Sequence, residues 1–144
     1  MRPIKTFAVV LSIAALAATA AAAQEASLTV AFAGVKAHKG KMMGVLFDSQ
    51  AAYDGKGEAV RAFAVAADGA TIEERLPGLK PGRYAIRVFH DLDGDGKMGL
   101  NPFGVPTEPF AFSNDAKGMM GPASWDAAAF EVKAGDNVQT IHID

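Results

Sequence analysis

Cysteine is absent from this chain of 144 residues. That absence excludes a disulfide framework, zinc–thiolate sites, a cysteine nucleophile and a lipid carried on an N-terminal cysteine. Trp and Tyr are sparse, at one and two residues, so a dedicated sugar-stacking face is not evident. No long basic run occurs, and 14 Lys and Arg stand against 16 Asp and Glu. Nucleic acid is therefore not an expected partner. Beyond residue 23 no apolar run approaches the roughly 20 residues that a bilayer span requires. A Gly-rich phosphate loop and a Gly-x-Ser-x-Gly elbow are also missing.

What is present begins with an export signal. Arg2 and Lys5 form a positive start, residues 7–18 are apolar and uncharged, and Ala21, Ala22 and Ala23 supply small residues for a peptidase. The pattern predicts a cleavable signal peptide over residues 1–23 and a single domain over 24–144, periplasmic or secreted. The mature chain, without Arg2 and Lys5, carries a formal charge of −4. A domain of about 120 residues can be held by its core alone.

The mature chain reads as short strands between Gly and Pro turns. Leu28, Val30 and Phe32 alternate with polar or small neighbours, and Met43, Val45 and Phe47 do so after Lys39-Gly40. Segments 60–66 and 72–76 are further candidates, the latter charged enough for an edge strand. Pro77-Gly78 and Pro81-Gly82 are turn dipeptides. In the strand 83–90, Tyr84, Ile86 and Val88 share one face while Arg83, Ala85 and Arg87 share the other. Phe130 and Val132, then a turn at Gly135-Asp136-Asn137, then Ile141 and Ile143 complete the chain. Six or seven short strands without a long helical period predict an all-β fold, a single antiparallel two-sheet sandwich with one long irregular loop.

That loop, residues 91–126, holds Phe103, Val105, Phe110, Phe112, Met119, Met120 and Trp125. Connections of this length are often functional. It reads as a flap pinned over one end of the sandwich, or as a binding surface, and the two readings are compatible.

Asp91-Leu92-Asp93-Gly94-Asp95-Gly96-Lys97 is the strongest local motif. Alternate carboxylates followed by Gly open a calcium loop, with Asp91, Asp93 and Asp95 as side-chain ligands and the Lys97 carbonyl as a backbone ligand. The ninth position is Gly99 and the twelfth Pro102, so this is not an EF-hand, and Ca²⁺ would need a remote carboxylate from Glu108 or Asp115. The alternative is an acidic turn whose Asp and Gly residues serve turn geometry. His90 continues the inward face of its strand, as a packed residue, a base or a ligand. Ser113 or Ser124 with His90 and Asp91 or Asp115 supply the residue types of a triad. Adjacent His90 and Asp91, however, point to opposite faces of a strand.

The run from His90 to Lys97, then Phe103-Gly104-Val105-Pro106-Thr107-Glu108, Phe112-Ser113-Asn114-Asp115-Ala116, Gly121-Pro122 and Ala127-Ala128-Ala129-Phe130 resembles the bacterial exported proteins grouped as domain of unknown function 2141. The resemblance spans essentially the whole mature chain. Gly99 stands where that pattern usually carries Asp. Pro81-Gly82-Arg83-Tyr84 is also similar to transthyretin-like and carboxypeptidase-regulatory-like β-sandwich domains, which mostly serve as binding, assembly or structural modules. The resemblance implies no activity, substrate or partner.

These readings converge on a non-enzymatic binding or structural module of the cell envelope that meets an envelope protein or polymer through its long loop. His90, Phe110, Phe112, Ser113, Asn114 and Trp125 are the candidate binding residues, and Ca²⁺ is the candidate ion for ordering the loop. The alternatives are a hydrolase acting on an envelope or extracellular polymer, using His90 with Asp115 or Glu108, and a purely structural assembly subunit.

Overall fold

A computed structural model describes residues 24–143, and the expected signal peptide lies outside the described residues. The fold is mostly β, in two sheets. The strands are β1 (Ala26–Ala33), β2 (Lys41–Phe47), β3 (Arg61–Ala66), β4 (Ile72–Leu79), β5 (Gly82–Asp91), β6 (Phe110–Phe112), β7 (Phe130–Val132) and β8 (Gly135–His142). Two single-turn helices, α1 (Gln50–Tyr53) and α2 (Trp125–Ala128), and a 3-10 turn at Ser113–Asp115 complete it. Ser49 and Ser124 cap the helices by accepting from Ala52 N and Ala127 N.

One sheet has the order β4-β1-β8 and the other β3-β2-β5-β6, with β7 pairing the first residues of β5. The charged β4 is an edge strand, as its sequence suggested. Leu28, Val30, Phe32 and Ile141 from the first sheet meet Met42, Leu46, Phe63, Ile86 and Val88 from the second in one buried core. Each fully buried aliphatic side chain contributes about 1.5–3 kcal/mol.

The architecture corrects the expected one in four places. First, the sheets are not purely antiparallel. β1 and β8 pair in parallel over eight residues, Ala26 with Gly135 through Ala33 with His142. Parallel neighbours need a long connection, and here it is the entire rest of the domain. Second, β2 faces the other way. Met42 and Leu46 are buried, whereas Met43, Val45 and Phe47 lie on the outer face. Gly44 explains why: it shares the inner face with its ladder partner Phe63, and a Cβ there would lie 2.1 Å from the ring. Third, Pro77-Gly78 do not end β4. They form a bulge, three steps from Leu76 to Leu79 set against two from Leu28 to Ala26, with Gly78 at φ +70°. An edge strand tolerates proline because one side of its ladder is unpaired. Fourth, Gly135-Asp136-Asn137 start β8 instead of turning. The turn lies just before, and Asn137 closes it with side-chain bonds to both Lys133 N and Lys133 O.

The long loop also contains more order than expected. β6 and the 3-10 turn fall within residues 91–126, and α2 begins there at Trp125. Phe110, Ala111 and Phe112 pair with Phe89, Val88 and Arg87 and extend the second sheet.

Candidate functional site

The acidic turn follows directly from the end of β5. Asp91 is buried, and its two oxygens accept from Gly94 N (2.8 Å) and Gly96 N (3.0 Å). Asp93 accepts from Asp95 N and Asp95 from Lys97 N. Gly94 and Gly96 sit at φ +81° and +74°, where an L side chain is strained. The three carboxylates converge, with one oxygen of each within 4.8 Å of the others. Glu108 does not join them. Its oxygens accept from Leu92 N (2.8 Å) and Gly99 N (3.0 Å), which ties the segment leading into β6 to both ends of the turn. Asp115 is committed elsewhere, to His142 N (2.9 Å) and His142 Nδ1 (2.8 Å). Bonds from the His142 backbone and ring hold its carboxyl below the ordinary value of 3.8. Of the expected remote ligands, Glu108 therefore borders the acidic turn and Asp115 does not.

Beyond the turn the chain forms a small hairpin over residues 99–107. Thr107 N donates to Gly99 O, Asn101 N to Val105 O, and Leu100 bridges Pro106. The Asn101 carboxamide oxygen accepts from Phe103 N and Val105 N and shapes the tip. Gly99 fits the hairpin because a Cβ there would lie 2.5 Å from Thr107 Oγ1. The tip projects Phe103, which is 90% exposed, and Val105, which is 54% exposed.

The outer face of the second sheet carries the most unusual surface. A sheet face turned from the core is ordinarily polar. This one presents Met43, Val45 and Phe47 from β2, Ala85, Arg87 and Phe89 from β5, and Phe110 and Phe112 from β6. Around Ala85 the face is closed. Tyr53, Ala123, Trp125 and Ala128 pack with Ala85 and Phe112 into a second buried cluster. Tyr53 meets Phe47 and Trp125 edge to face, at 5.4 and 5.8 Å between centroids, and its hydroxyl donates to Ala123 O (2.8 Å). Burial pushes the Tyr53 phenol above its ordinary value of 10.0. Fully buried Ser113 fastens the lid, accepting from Ile86 N (2.9 Å) and donating to Ala128 O (2.5 Å).

Around Phe89 the same face stays open. It forms the floor of an apolar groove of about 900 Å³, walled by Phe103, Val105 and Pro106 of the hairpin and by Met120 and Pro122 of the following loop. Met120 is fully exposed and holds a positive φ of 59°. That volume lies within the range of about 300–1,000 Å³ seen for small-molecule sites.

Arg87 stands at the boundary of the two halves and lines the groove. One terminal nitrogen donates to Tyr53 O (2.6 Å), and the guanidinium carbon lies 4.1 Å above the Tyr53 ring and 5.6 Å from that of Phe47. Its Nε is fully covered and has no hydrogen-bond partner, a state that costs about 1–3 kcal/mol for an ordinary buried donor. No carboxylate pairs with Arg87 among the described residues.

The expected binding residues thus divide. Phe110 and Phe112 reach the groove. Trp125 is a core residue of the closed half, and Ser113 is the peg that locks it. Asn114 braces α2 through Ala127 O and Ala129 O. His90 faces the inter-sheet core, and its Nε2 donates to Lys39 O (2.7 Å). Gly40 permits that approach, since a Cβ there would lie 2.0 Å from Asp91 O. His142, half-exposed on the outer side of β8, is the partner of Asp115. Sequence reasoning missed Met43, Val45, Phe89 and Arg87 as groove residues. The available signal was the unbroken apolar run Met42-Met43-Gly44-Val45-Leu46-Phe47, which describes a strand covered on both faces.

The family model described as an uncharacterized protein conserved in bacteria (DUF2141) matches residues 30–141. The chain belongs to that family. No curated protein and no solved structure matches it.

Proposed function

We propose that this member of the family is an exported, non-catalytic binding module of the cell envelope, built on a prealbumin-like sandwich, and that it binds through the groove on the outer face of its second sheet. The observation that carries the reading is the open half of that face. Large apolar side chains on Met43, Val45, Phe89 and Phe110 surround a cavity instead of a core, and the hairpin adds an exposed Phe103 above them. Uncovered apolar surface of this kind marks interaction sites.

Calcium belongs to the same reading as the cation the acidic turn would take, with Asp91, Asp93 and Asp95 supplying oxygens beside the groove. Titration of Ca²⁺ into metal-stripped protein tests it. A saturable heat that Asp93→Ala abolishes supports the site, and no heat at millimolar calcium removes it. The hydrolase alternative has less support. His90 is packed against Lys39 O, while Asp115 and Glu108 are engaged with His142 and with backbone amides.

The neutral dye N-phenylnaphthylamine tests the groove. Its fluorescence should rise saturably on binding the mature protein. The double variant Phe103→Ser, Val105→Ser should lose that rise while keeping its melting temperature, because neither side chain belongs to a buried cluster. Absence of saturable binding by the unaltered protein would refute the reading.

A further inference from the structure

We propose that the groove takes a single-chain amphiphile with one negative charge, a long-chain carboxylate, whose head meets Arg87 and whose chain runs toward Phe89 and the hairpin tip. The proposal rests on the binding reading above and adds the chemistry of the ligand.

Three observations lead to it. Among the described residues, Arg87 is the only charged one lining the groove, and it is set among Val45, Phe112 and the Phe47 ring. An unpaired guanidinium in apolar surroundings is a strong receptor for a carboxylate, because its planar fork matches two oxygens and it sheds water more readily than an ammonium. A single cation also balances a single negative charge, whereas a phosphomonoester would bring a second with nothing to meet it.

The second observation fixes the direction. Beyond Arg87 the face is sealed by Tyr53 and Trp125, so a chain cannot continue that way. At the opposite end Gly96 brings the acidic turn to the rim, with Asp93 and Asp95 exposed. An anionic head there would be repelled, which leaves it at Arg87 and the apolar chain beneath the hairpin. The third observation is the lining itself. Met43, Met98 and Met120 contribute flexible thioether side chains that adapt to alkyl chains of varied length.

The test compares dodecanoate with dodecanol on the mature protein, below their aggregation concentrations, by displacement of N-phenylnaphthylamine and by calorimetry. The acid should bind at least tenfold more tightly than the alcohol. In a saturated series from eight to twelve carbons, affinity should rise about fourfold per methylene, the ratio that burial of a CH₂ predicts. Arg87→Met should abolish the preference for the acid and leave the alcohol within about twofold. Arg87 also braces Tyr53, so Val45→Asp provides a second route. It places a carboxylate across the ladder from an intact Arg87, and should likewise remove the preference. Equal affinity for acid and alcohol in the unaltered protein, or a preference that survives in both variants, would overturn the proposal. Dye binding that neither amphiphile displaces would overturn it and leave the binding reading standing. No dye binding and no heat with the acid would end both.

Discussion

The closed and open halves of the second sheet's outer face carry similar side chains and differ in what lies over them. Around Ala85, α1, α2 and the 3-10 turn bring Tyr53, Trp125 and Ser113 down onto the strands and make a miniature core. Around Phe89, the hairpin and the loop after Gly118 stand off and leave a cavity. The contrast separates two uses of apolar surface. Where the covering segment is pinned by buried hydrogen bonds, burial goes into stability. Where it is tied at its base, through the bonds of Glu108 to Leu92 N and Gly99 N, the surface stays available to something else.

The largest expected effect lies in the closed half. Trp125→Ala should lower the unfolding free energy by about 3–5 kcal/mol, the range for removing a buried aromatic, as read by urea titration of the circular dichroism signal. A loss below 1 kcal/mol would mean that the second cluster is not a core and would erase the distinction. Next comes the peg. Ser113→Ala strands the Ile86 amide and the Ala128 carbonyl, and should cost about 1–3 kcal/mol. It should also raise hydrogen exchange at Ala127 and Ala128, the residues it releases. In the open half, Phe103→Ala should change stability by no more than about 0.5 kcal/mol. A larger loss would show the hairpin tip to be packed, and would turn the groove into part of the core.

The smallest effect concerns pH. Asp115 has its carboxyl pKa lowered, first by the bond from His142 N. Its contribution is therefore complete above its ordinary value of 3.8 and fades as pH falls through the lowered value. Asp115→Asn should flatten that acid limb of a melting-temperature profile and leave the neutral region nearly unchanged. At the alkaline end, the raised Tyr53 and Tyr84 phenols stabilise the neutral forms, so stability should fall as pH rises beyond 10.0 through their elevated values.

Much of the inter-sheet core was legible because it follows the period of a strand. Leu28, Val30 and Phe32, then Tyr84, Ile86 and Val88, then Ile141 and Ile143 are buried as their alternation requires. The facing of β2 was not legible, since both of its faces are apolar and the deciding fact is the distant ring of Phe63 over Gly44. The parallel partner of β1 was hidden for a related reason: alternation reports which face is buried and is silent on which strand lies alongside. The candidate site was legible in its materials but not in its arrangement. The aromatics of residues 91–126 stood out, yet their division between core and groove depends on α2 and the Ser113 peg, elements of one turn that leave no periodic trace. The acidic turn was the reverse case. Its carboxylates converge as the motif suggested, while much of their bonding goes to their own backbone.

The parallel pairing of β1 with β8 bears on how the molecule answers to pulling. The ladder joins the first and last strands over eight residue pairs, a length of about 26 Å. The chain enters at the Ala26 end and leaves at the His142 end. Tension applied between the two termini thus runs along the strands and loads every rung together, in shear, instead of opening the ladder one rung at a time. A protein tethered by one end and drawn by the other would hold its shape until the whole ladder gave way in a single step.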